Sequence, residues 1–560
     1  DPANSLPATQ AVTIDNNALM TGYVTLWDGA GHTFNNNGTF AVRHFADTNG
    51  DGLRDTKAVS VSDFGGPNSS FNNSGTVRFA PVANAPATDA TGYYVPTTGA
   101  DSRPLEAGFY DLNREGLVQG QFVNLQTFNN SGTIDLRGPE IGNTLVMTSN
   151  PTAGGAPGTG TFVTNGGQLL VNTRLNDGIA PGGAANSYSD MLIVDRTQMG
   201  SAPTAIGVSY DPAVAGALTP GNGIEIVEVR DKANSAAGVF TLGNRVAGSA
   251  YEYRLYHNGV GADAADGNWY LRSTRIPDPE TPPPAPGPDP DPGQSPGPGP
   301  TAPDKPVELP DYRVEVPVDA IVPALASRLG MTMIGTLDDR YGPDFAPFSE
   351  QPPAPAPARE IWCKDAARNF RCTPTPQQNA YYAGVDQQAP LPAGHLFWAR
   401  VFGQFGAHNA GGRSDMDRLN AFERNGASYG YRMGGIQFGA HLYRDPLNTA
   451  GVYVGYGRIG ATVDTVYGEG RAGSVAMDAY SLGGYWTHRR PGGWYVDTVL
   501  QGTLYGAISA TSVLGESLAT RGWGFAASLE TGHPVALGAG WTITPQLQAI
   551  YQTVGIDGGA

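Results

Sequence analysis

PALASRLGMTMIGTLDDR, residues 323–340, sits directly after a long proline-rich tract, and its reading decides how the rest of the chain is read. Leu325, Leu329, Met333 and Leu337 recur every four residues, the spacing of one helical face. Pro323 suits the first helical position, where its missing N–H removes nothing. Small or mildly polar residues (Ala324, Ala326, Ser327, Gly330, Thr332, Gly335, Thr336) fill the remaining surface. Such a helix would span roughly 27 Å, close to the ~30 Å of a bilayer's hydrocarbon. Arg328, Asp338, Asp339 and Arg340 nevertheless make it a poor lipid-facing segment. Taken alone, the stretch reads as an ordinary amphipathic helix on a globular core. The flanking sequence changes that reading.

The chain has 560 residues, enough for more than one domain, with 77 glycines and only 15% charged residues. Frequent glycine and scarce helix-favouring charges point to an all-β protein of many short strands. A formal charge of −17 argues against a nucleic-acid partner, which needs a basic surface. No run of apolar residues is long enough for a transmembrane helix, although transmembrane strands leave a far weaker trace. The chain begins at Asp1 without a signal peptide and reads as a processed or truncated product.

Upstream of the helix, TFNNNGTFAV (from Thr33), SFNNSGTVRF (from Ser70) and TFNNSGTIDL (from Thr127) form an internal repeat. Phe34, Phe71 and Phe128 lie 37 and 57 residues apart, near two and three times a unit of roughly 19, as in solenoid coils. Stacking would bury the apolar strand face and let turn asparagines bond along the stack. From about Thr161 the repeat yields to the short strands QLLVNTRLN, DMLIVD, IEIVEV, VFTL, YEYRLY and NWYLRS, read as packing that closes a solenoid's edge. Catalytic motifs are missing here: the three histidines, His32, His44 and His257, accompany no G-x-S-x-G, GDSG or HExxH.

Two local features carry chemistry. Asp47, Asn49, Asp51 and Asp55 occupy positions 1, 3, 5 and 9 of a calcium-type loop with Gly52 at 6, while Ala58 replaces the closing Glu. Calcium is one reading of this loop and a plain acidic turn the other. Cys363 and Cys372 are the sole cysteines; without further close-spaced ligands zinc is disfavoured, and a local disulfide is preferred over unlinked thiols.

Residues 276–306 are proline-rich, extended and unable to build a core. Beyond the helix the strands change character. In LFWARVFGQF, Phe397, Ala399, Val401, Gly403 and Phe405 share an apolar face opposite Arg400 and Gln404. The stretches YRMGGIQFGAHLYR, WYVDTVLQGTLYG and WTITPQLQAIYQ alternate likewise, with Gln437, His441, Asp497, Gln501, Gln546, Gln548 and Gln552 on the polar side. Their length suits tilted membrane strands, and Trp398, Tyr443, Trp486, Trp494, Trp523 and Trp541 read as interfacial girdles. A soluble β-barrel is the alternative.

YRVEVPVDAIVPALASRLGMTMIGTLDDR followed by WARVFGQ resembles the start of an autotransporter (type V secretion) translocator, and QLLVNTRLND, SDMLIVD, GNGIEIVEV and YEYRLY…GNWYLRS resemble the pertactin-like end of its passenger. The resemblance implies an all-β fold: a right-handed parallel β-helix, then a transmembrane antiparallel barrel of twelve strands with a helix in its lumen. About seven of those strands are counted here, so a C-terminally truncated chain is expected. The implied domains are β-helical repeats (1–160), a pertactin-like autochaperone end (161–275) and a Pro-rich linker (276–310). They continue with the pore-threading helix (311–345), the cysteine segment (346–394) and the translocator (395–560). Inside the pore, the charged helix residues would meet lumen groups such as Arg400, Gln437 or Asp497. Further implications are outer-membrane lipid and the Bam machinery as partners and a cell-surface passenger with a host ligand; no cofactor is required, calcium being only the one reading of the 47–55 loop given above. No catalytic residue is assigned, and self-cleavage at paired asparagines is unsupported because none occurs between Val318 and Tyr341. The competing reading is a secreted hydrolase with its catalytic module upstream of residue 1.

Overall fold

The computed structural model describes residues 10–42, 60–80, 119–176, 189–275, 308–341 and 396–558, apart from a few short gaps. It also describes the strand segments Phe45–Ala46, Thr56–Lys57, Ile361–Lys364 and Asn369–Cys372. The chain divides into two units, Asp1–Arg313 and Val314–Ala560.

The first unit is a β-helix of three sheets. Sheet A stacks Thr13–Asn16, Thr33–Asn36, Ser70–Asn73, Thr127–Asn130, Thr161–Asn165 and Arg196–Ala202 in parallel register. Sheet B runs alongside, from Leu19–Gly22 to Phe240–Leu242, and sheet C contains Ser60–Asp63, Gln119–Val123, Thr144–Met147, Met191–Val194 and Ile224–Val229. Each repeat phenylalanine points inward and stacks on the next: Phe34 on Phe71 at 4.8 Å, Phe71 on Phe128 at 4.9 Å, Phe128 on Phe162 at 5.6 Å and Phe162 on Phe240 at 5.7 Å. Trp269 meets Phe240 edge-on at 5.4 Å and ends the column. Beside it runs a buried amide ladder in which Asn16 Nδ2 donates to Asn36 Oδ1 (2.8 Å), Asn36 to Asn73 (2.8 Å) and Asn73 to Asn130 (2.9 Å). The second proton of each amide goes to a threonine carbonyl one coil on (Thr39, Thr76, Thr133), so burial leaves these ladder donors paired.

The stacking anticipated for the repeat is present, but its period is corrected. Phe34, Phe71 and Phe128 sit on adjacent coils, so the 37- and 57-residue intervals are one coil each. Turns from sheet A to sheet B are two residues long (37–38, 74–75, 131–132), and their glycines allow backbones to touch. A Cβ on Gly75 would lie 2.0 Å from the Gly38 carbonyl oxygen. The extra residues enter between sheets B and C, at 43–59 and 80–118. The turn between sheets A and B keeps its length, and the connections between sheets B and C take the extra residues.

The coil also continues past Thr161, since Thr161–Asn165, Gln168–Asn172 and Met191–Val194 still pair in parallel. Closure comes later. Trp269–Arg272 pairs antiparallel with Ile224–Val229, and Tyr251–His257 and Val246–Gly248 follow as antiparallel strands. This reversal covers the sheet edge that another coil would extend. The proline-rich tract leaves from Thr274–Arg275, and the chain returns at Leu309–Pro310, which pairs with that same segment.

In the second unit, seven antiparallel strands follow one another in order: Phe397–His408, Tyr429–Arg444, Asn448–Asp464, Arg471–Arg489, Tyr495–Ser512, Ser517–Gly532 and Gln546–Ile556. The count agrees with the sequence reading. The first and last strands are the edges of the described sheet, which does not close on itself. Alternation places Phe397, Val401 and Phe405 on the exposed face with Phe438, Leu482 and Leu504. Two details differ from the sequence reading. Trp398 is no girdle residue: it turns inward, donating from Nε1 to Tyr485 Oη at 3.0 Å. Trp541–Ile543 pairs with Val535–Gly538, and the last strand starts only after Pro545, which has no N–H for a ladder. The connection after His408 contains a helix, Asp415–Asn425, capped by Ser414, whose Oγ accepts from the Asp417 amide.

Asn73→Ala, which breaks the buried ladder, should cost about 1–3 kcal/mol, whereas Asn37→Ala, in the exposed row, should cost less than ~0.5 kcal/mol. Urea unfolding of the passenger measures the difference.

Candidate functional site

The functional centre of the second unit is the helical segment lying on the inner face of the sheet. The sequence reading of one continuous helix from 323 to 340 is corrected: the chain forms α1 (Glu315–Ala320), α2 (Val322–Ile334) and α3 (Leu337–Tyr341). Gly335, at φ +62, breaks it, and a Cβ there would lie 2.1 Å from Arg400 Nη1. The four-residue spacing survives the break, since Leu325, Leu329, Met333 and Leu337 are all fully buried.

The sheet's inner face has two zones. Around α1 and the first half of α2 it is apolar, with Met433, Ile459, Val475, Met477 and Ile508 packed on Val318, Leu325 and Leu329. Gly330 lies flat against this wall: an added Cβ would be 2.5 Å from both Tyr505 Oη and Gln552 Nε2. Arg328 stacks over the Tyr431 ring at 4.5 Å and donates from Nη1 to its hydroxyl at 2.7 Å.

Toward the end of α2 the wall becomes polar, because a helix terminus leaves carbonyls without intrahelical partners. Gln501 Nε2 donates to the Gly330 carbonyl (3.2 Å), Arg400 Nη2 to Thr332 (3.1 Å), Gln437 Nε2 to Met333 (2.6 Å) and Gln548 Nε2 to Gly335 (2.9 Å). After the break the polarity reverses, and Glu530 Oε2 accepts the Leu337 amide at 3.0 Å. Arg400 also faces Asp339 at 3.3 Å, and Arg340 forms a fully buried ion pair with Asp497, which is further bonded by the Thr487 hydroxyl. The lumen partners Arg400, Gln437 and Asp497 expected from sequence all reach the helix. Gln501, Gln548 and Glu530 as carbonyl and amide partners were missed, because alternation shows which face a residue occupies but not which backbone group it meets.

The passenger's closing segment holds two buried carboxylates, at either end of SDMLIVD. Asp190 accepts from the amides of Gly142, Asn143 and Asn172, tying three stretches of chain together. Asp195 accepts from the Thr148 hydroxyl and the amides of Ser149 and Gly160. The signal was an apolar run flanked at both ends by acid, read only as resemblance. Burial pushes the Asp190 carboxyl up to about 7, outweighing its three N–H donors. Ser235 Oγ lies 3.0 Å from His257 Nε2 and gives its proton to the Gly267 carbonyl at 2.6 Å, an arrangement that binds loop to strand.

The calcium-loop residues Asp47, Asn49, Asp51 and Asp55 lie outside the described residues, bracketed by the paired segments Phe45–Ala46 and Thr56–Lys57. The side chains of Cys363 and Cys372 are likewise outside them; the backbone sets Cys363 opposite Phe370 and Cys372 opposite Ile361. Among the described residues no three His, Cys, Asp or Glu side chains are grouped to hold a metal ion.

Arg340→Met should destabilise the second unit by about 3–5 kcal/mol by stranding Asp497, and adding Asp497→Leu should recover most of the loss. The temperature of heat-modifiable gel migration reads this. For Asp190, a folded pKa of about 7 lies above the ~3.9 of an unfolded aspartate. Its contribution is therefore complete below ~pH 4 and lost as pH rises through about 7. The passenger's unfolding midpoint should fall over that window, and Asp190→Asn should flatten that component.

Comparison with known proteins accords with this geometry. Residues 397–560 match the autotransporter β-domain family, and residues 158–255 match the type 1 autochaperone domain. The chain is 27% identical over 413 residues to the adhesin BmaC autotransporter of Brucella suis biovar 1 (strain 1330), covering 71% of this chain and 10% of that protein. It is 30% identical over 176 residues to the uncharacterized protein YuaQ of Escherichia coli (strain K12), covering 31% of this chain and 11% of that one. The chain thus spans about a tenth of the length of these curated relatives. No solved structure matches it. The β-domain places the seven-stranded sheet in the outer membrane, with the β-helix as its surface passenger. Residues 397–560 thus form an autotransporter β-domain carrying a helix on its inner face, and the β-helix before it ends in a type 1 autochaperone domain.

Proposed function

We propose that the C-terminal domain exports and displays the β-helical passenger that precedes it, and that the passenger acts in adhesion without catalysis. The observation that carries this reading is the grip on α2. Its carbonyls are held by Gln501, Arg400, Gln437 and Gln548, so the tether is fixed through its backbone while its surface stays small. A segment bound in this way can stay seated while the chain before it lies outside. The passenger suits stepwise folding, since each coil presents the phenylalanine and asparagine on which the next one docks. Adhesion is supported by the name of the Brucella relative and by a solenoid whose long connections leave from one corner. Insertion would draw on the Bam machinery, and a surface ligand of the host would be the passenger's partner.

Trp269→Ala removes the ring that ends the aromatic column and should cost about 3–5 kcal/mol. In intact cells the variant passenger should become sensitive to external protease while the barrel still shows heat-modifiable migration. A passenger as resistant as wild type would contradict the autochaperone role. Cells displaying the wild-type chain should adhere to a host-cell layer better than cells displaying Val314–Ala560 alone. Equal adherence would contradict the adhesin reading.

A further inference from the structure

The outward face of the seven-stranded sheet is apolar, row after row, until it meets two arginines. Along the strand register, Val401, Ile436, Tyr456, Tyr480, Leu504 and Trp523 form one row. The next row toward the 408–428 connection is Gly403, Gly434, Arg458, Asp478 and Gly506, and beyond it come Phe405, Arg432, Gly460 and Ala476. Arg432 and Arg458 are therefore diagonal neighbours on adjacent strands, about 7–8 Å apart at their Cα atoms. Arg458 is 65% exposed at its side chain, with Nε 3.8 Å from Asp478, whose same oxygen accepts from Tyr456 Oη at 2.9 Å. Arg432 is exposed and makes no ion pair or hydrogen bond with the described residues. Of the two guanidinium groups only that of Arg458 faces a carboxylate, so the positive charge of Arg432 is uncompensated among the described residues.

The surface around them is hollow. Gly434, Gly460, Thr462 and Ser474 contribute little or no side chain, and together with the arginines they line an open concavity of about 920 Å³. An outward arginine is strongly disfavoured at the bilayer midplane and nearly neutral at its interface, and Tyr456 and Tyr480 mark the interface immediately below. The guanidinium groups accordingly lie at headgroup level. The leaflet follows from the chain path: α1, which continues from the passenger, packs at this end of the strands, with Val318 against Gly473. This end faces the cell surface, where the outer leaflet offers phosphorylated saccharide headgroups. Arginine's planar fork matches phosphate with two parallel hydrogen bonds.

We propose that Arg432 and Arg458 bind a phosphate group of an outer-leaflet glycolipid, whose sugar occupies the hollow over Gly434, Gly460 and Ser474. The inference rests on the outer-membrane placement of the sheet and adds to it a specific lipid contact at the rim of the barrel.

The test uses the full chain in mild detergent with purified lipopolysaccharide, its dephosphorylated form or inorganic phosphate, and reads bound ligand by native mass spectrometry. Lipopolysaccharide should bind the wild-type chain. Removing its phosphates, or introducing Arg432→Gln with Arg458→Gln, should weaken binding about tenfold. Arg432→Lys with Arg458→Lys should fall between, and Arg490→Gln, at the opposite end of the sheet, should change nothing. Should the double variant lose heat-modifiable migration, Arg432→Gln alone, in which Arg458 keeps Asp478, should still bind about threefold more weakly. Equal binding by the glutamine variants overturns the proposal. So does equal binding of dephosphorylated glycolipid, which would mean acyl-chain contact alone, and so does inorganic phosphate matching the glycolipid. Self-association through this face, abolished by the double variant while glycolipid binding persists, overturns it as well. A wild-type barrel that is heat-modifiable yet binds no glycolipid refutes this inference alone, whereas a chain soluble without detergent refutes the membrane placement beneath it.

Discussion

A helix that stops inside a sheet leaves carbonyl oxygens that need partners, and the second unit is built around meeting that need. Gly335 ends α2 at φ +62 and ψ −170, a backbone conformation essentially confined to glycine. The carbonyls freed near that point are taken by amides and a guanidinium from strands far apart in sequence. Each is a net gain of only about 1 kcal/mol, yet leaving a buried carbonyl unmet costs about 1–3. The helix dipole adds to this, since Arg400 lies at the negative end of α2 and Glu530 at the start of α3. Apolar packing of Leu325, Leu329 and Met333 holds the helix to the wall, and the polar contacts set how far along the wall it sits.

The same division between bulk burial and directional bonding organises the passenger. Phenylalanine stacking supplies the apolar column, while the asparagine ladder fixes register, because a slip by one residue would separate every amide from its acceptor. The ladder is directional: each amide donates to the following coil, so one coil's acceptor awaits the preceding coil's donor. Asp190 and Asp195 play the corresponding part near the closing end, where the asparagine ladder has stopped. Trp269 and the antiparallel strands then end a structure that would otherwise keep offering an edge.

How much of this was legible in the sequence depended on whether the determining contact was periodic. The helical face of Leu325 and Leu329, the alternation of the long strands and the inward polar residues Arg400, Gln437 and Asp497 all follow from periods of four and two. The coil length was misread because spacing between repeat phenylalanines mixes a constant stacked turn with insertions of variable length. The break at Gly335 was invisible for a similar reason, since the apolar spacing runs straight through it to Leu337. Trp398 was assigned to lipid from its residue type, although it occupies an inward parity position. Asp190 and Asp195 stood in plain view inside a recognised motif, but a buried acid is distinguishable from a turn acid only once its amide donors are located.

The most direct test of the central claim, that α2 is seated against the inner wall of the β-domain, is site-specific photo-crosslinking in intact outer membranes. A photoreactive residue in place of Ser327, whose Oγ donates to Gln552 at 2.8 Å, should give an intramolecular adduct mapping to Gln546–Ile556. An adduct to a different protein, or none in a barrel that is otherwise heat-modifiable, would contradict it.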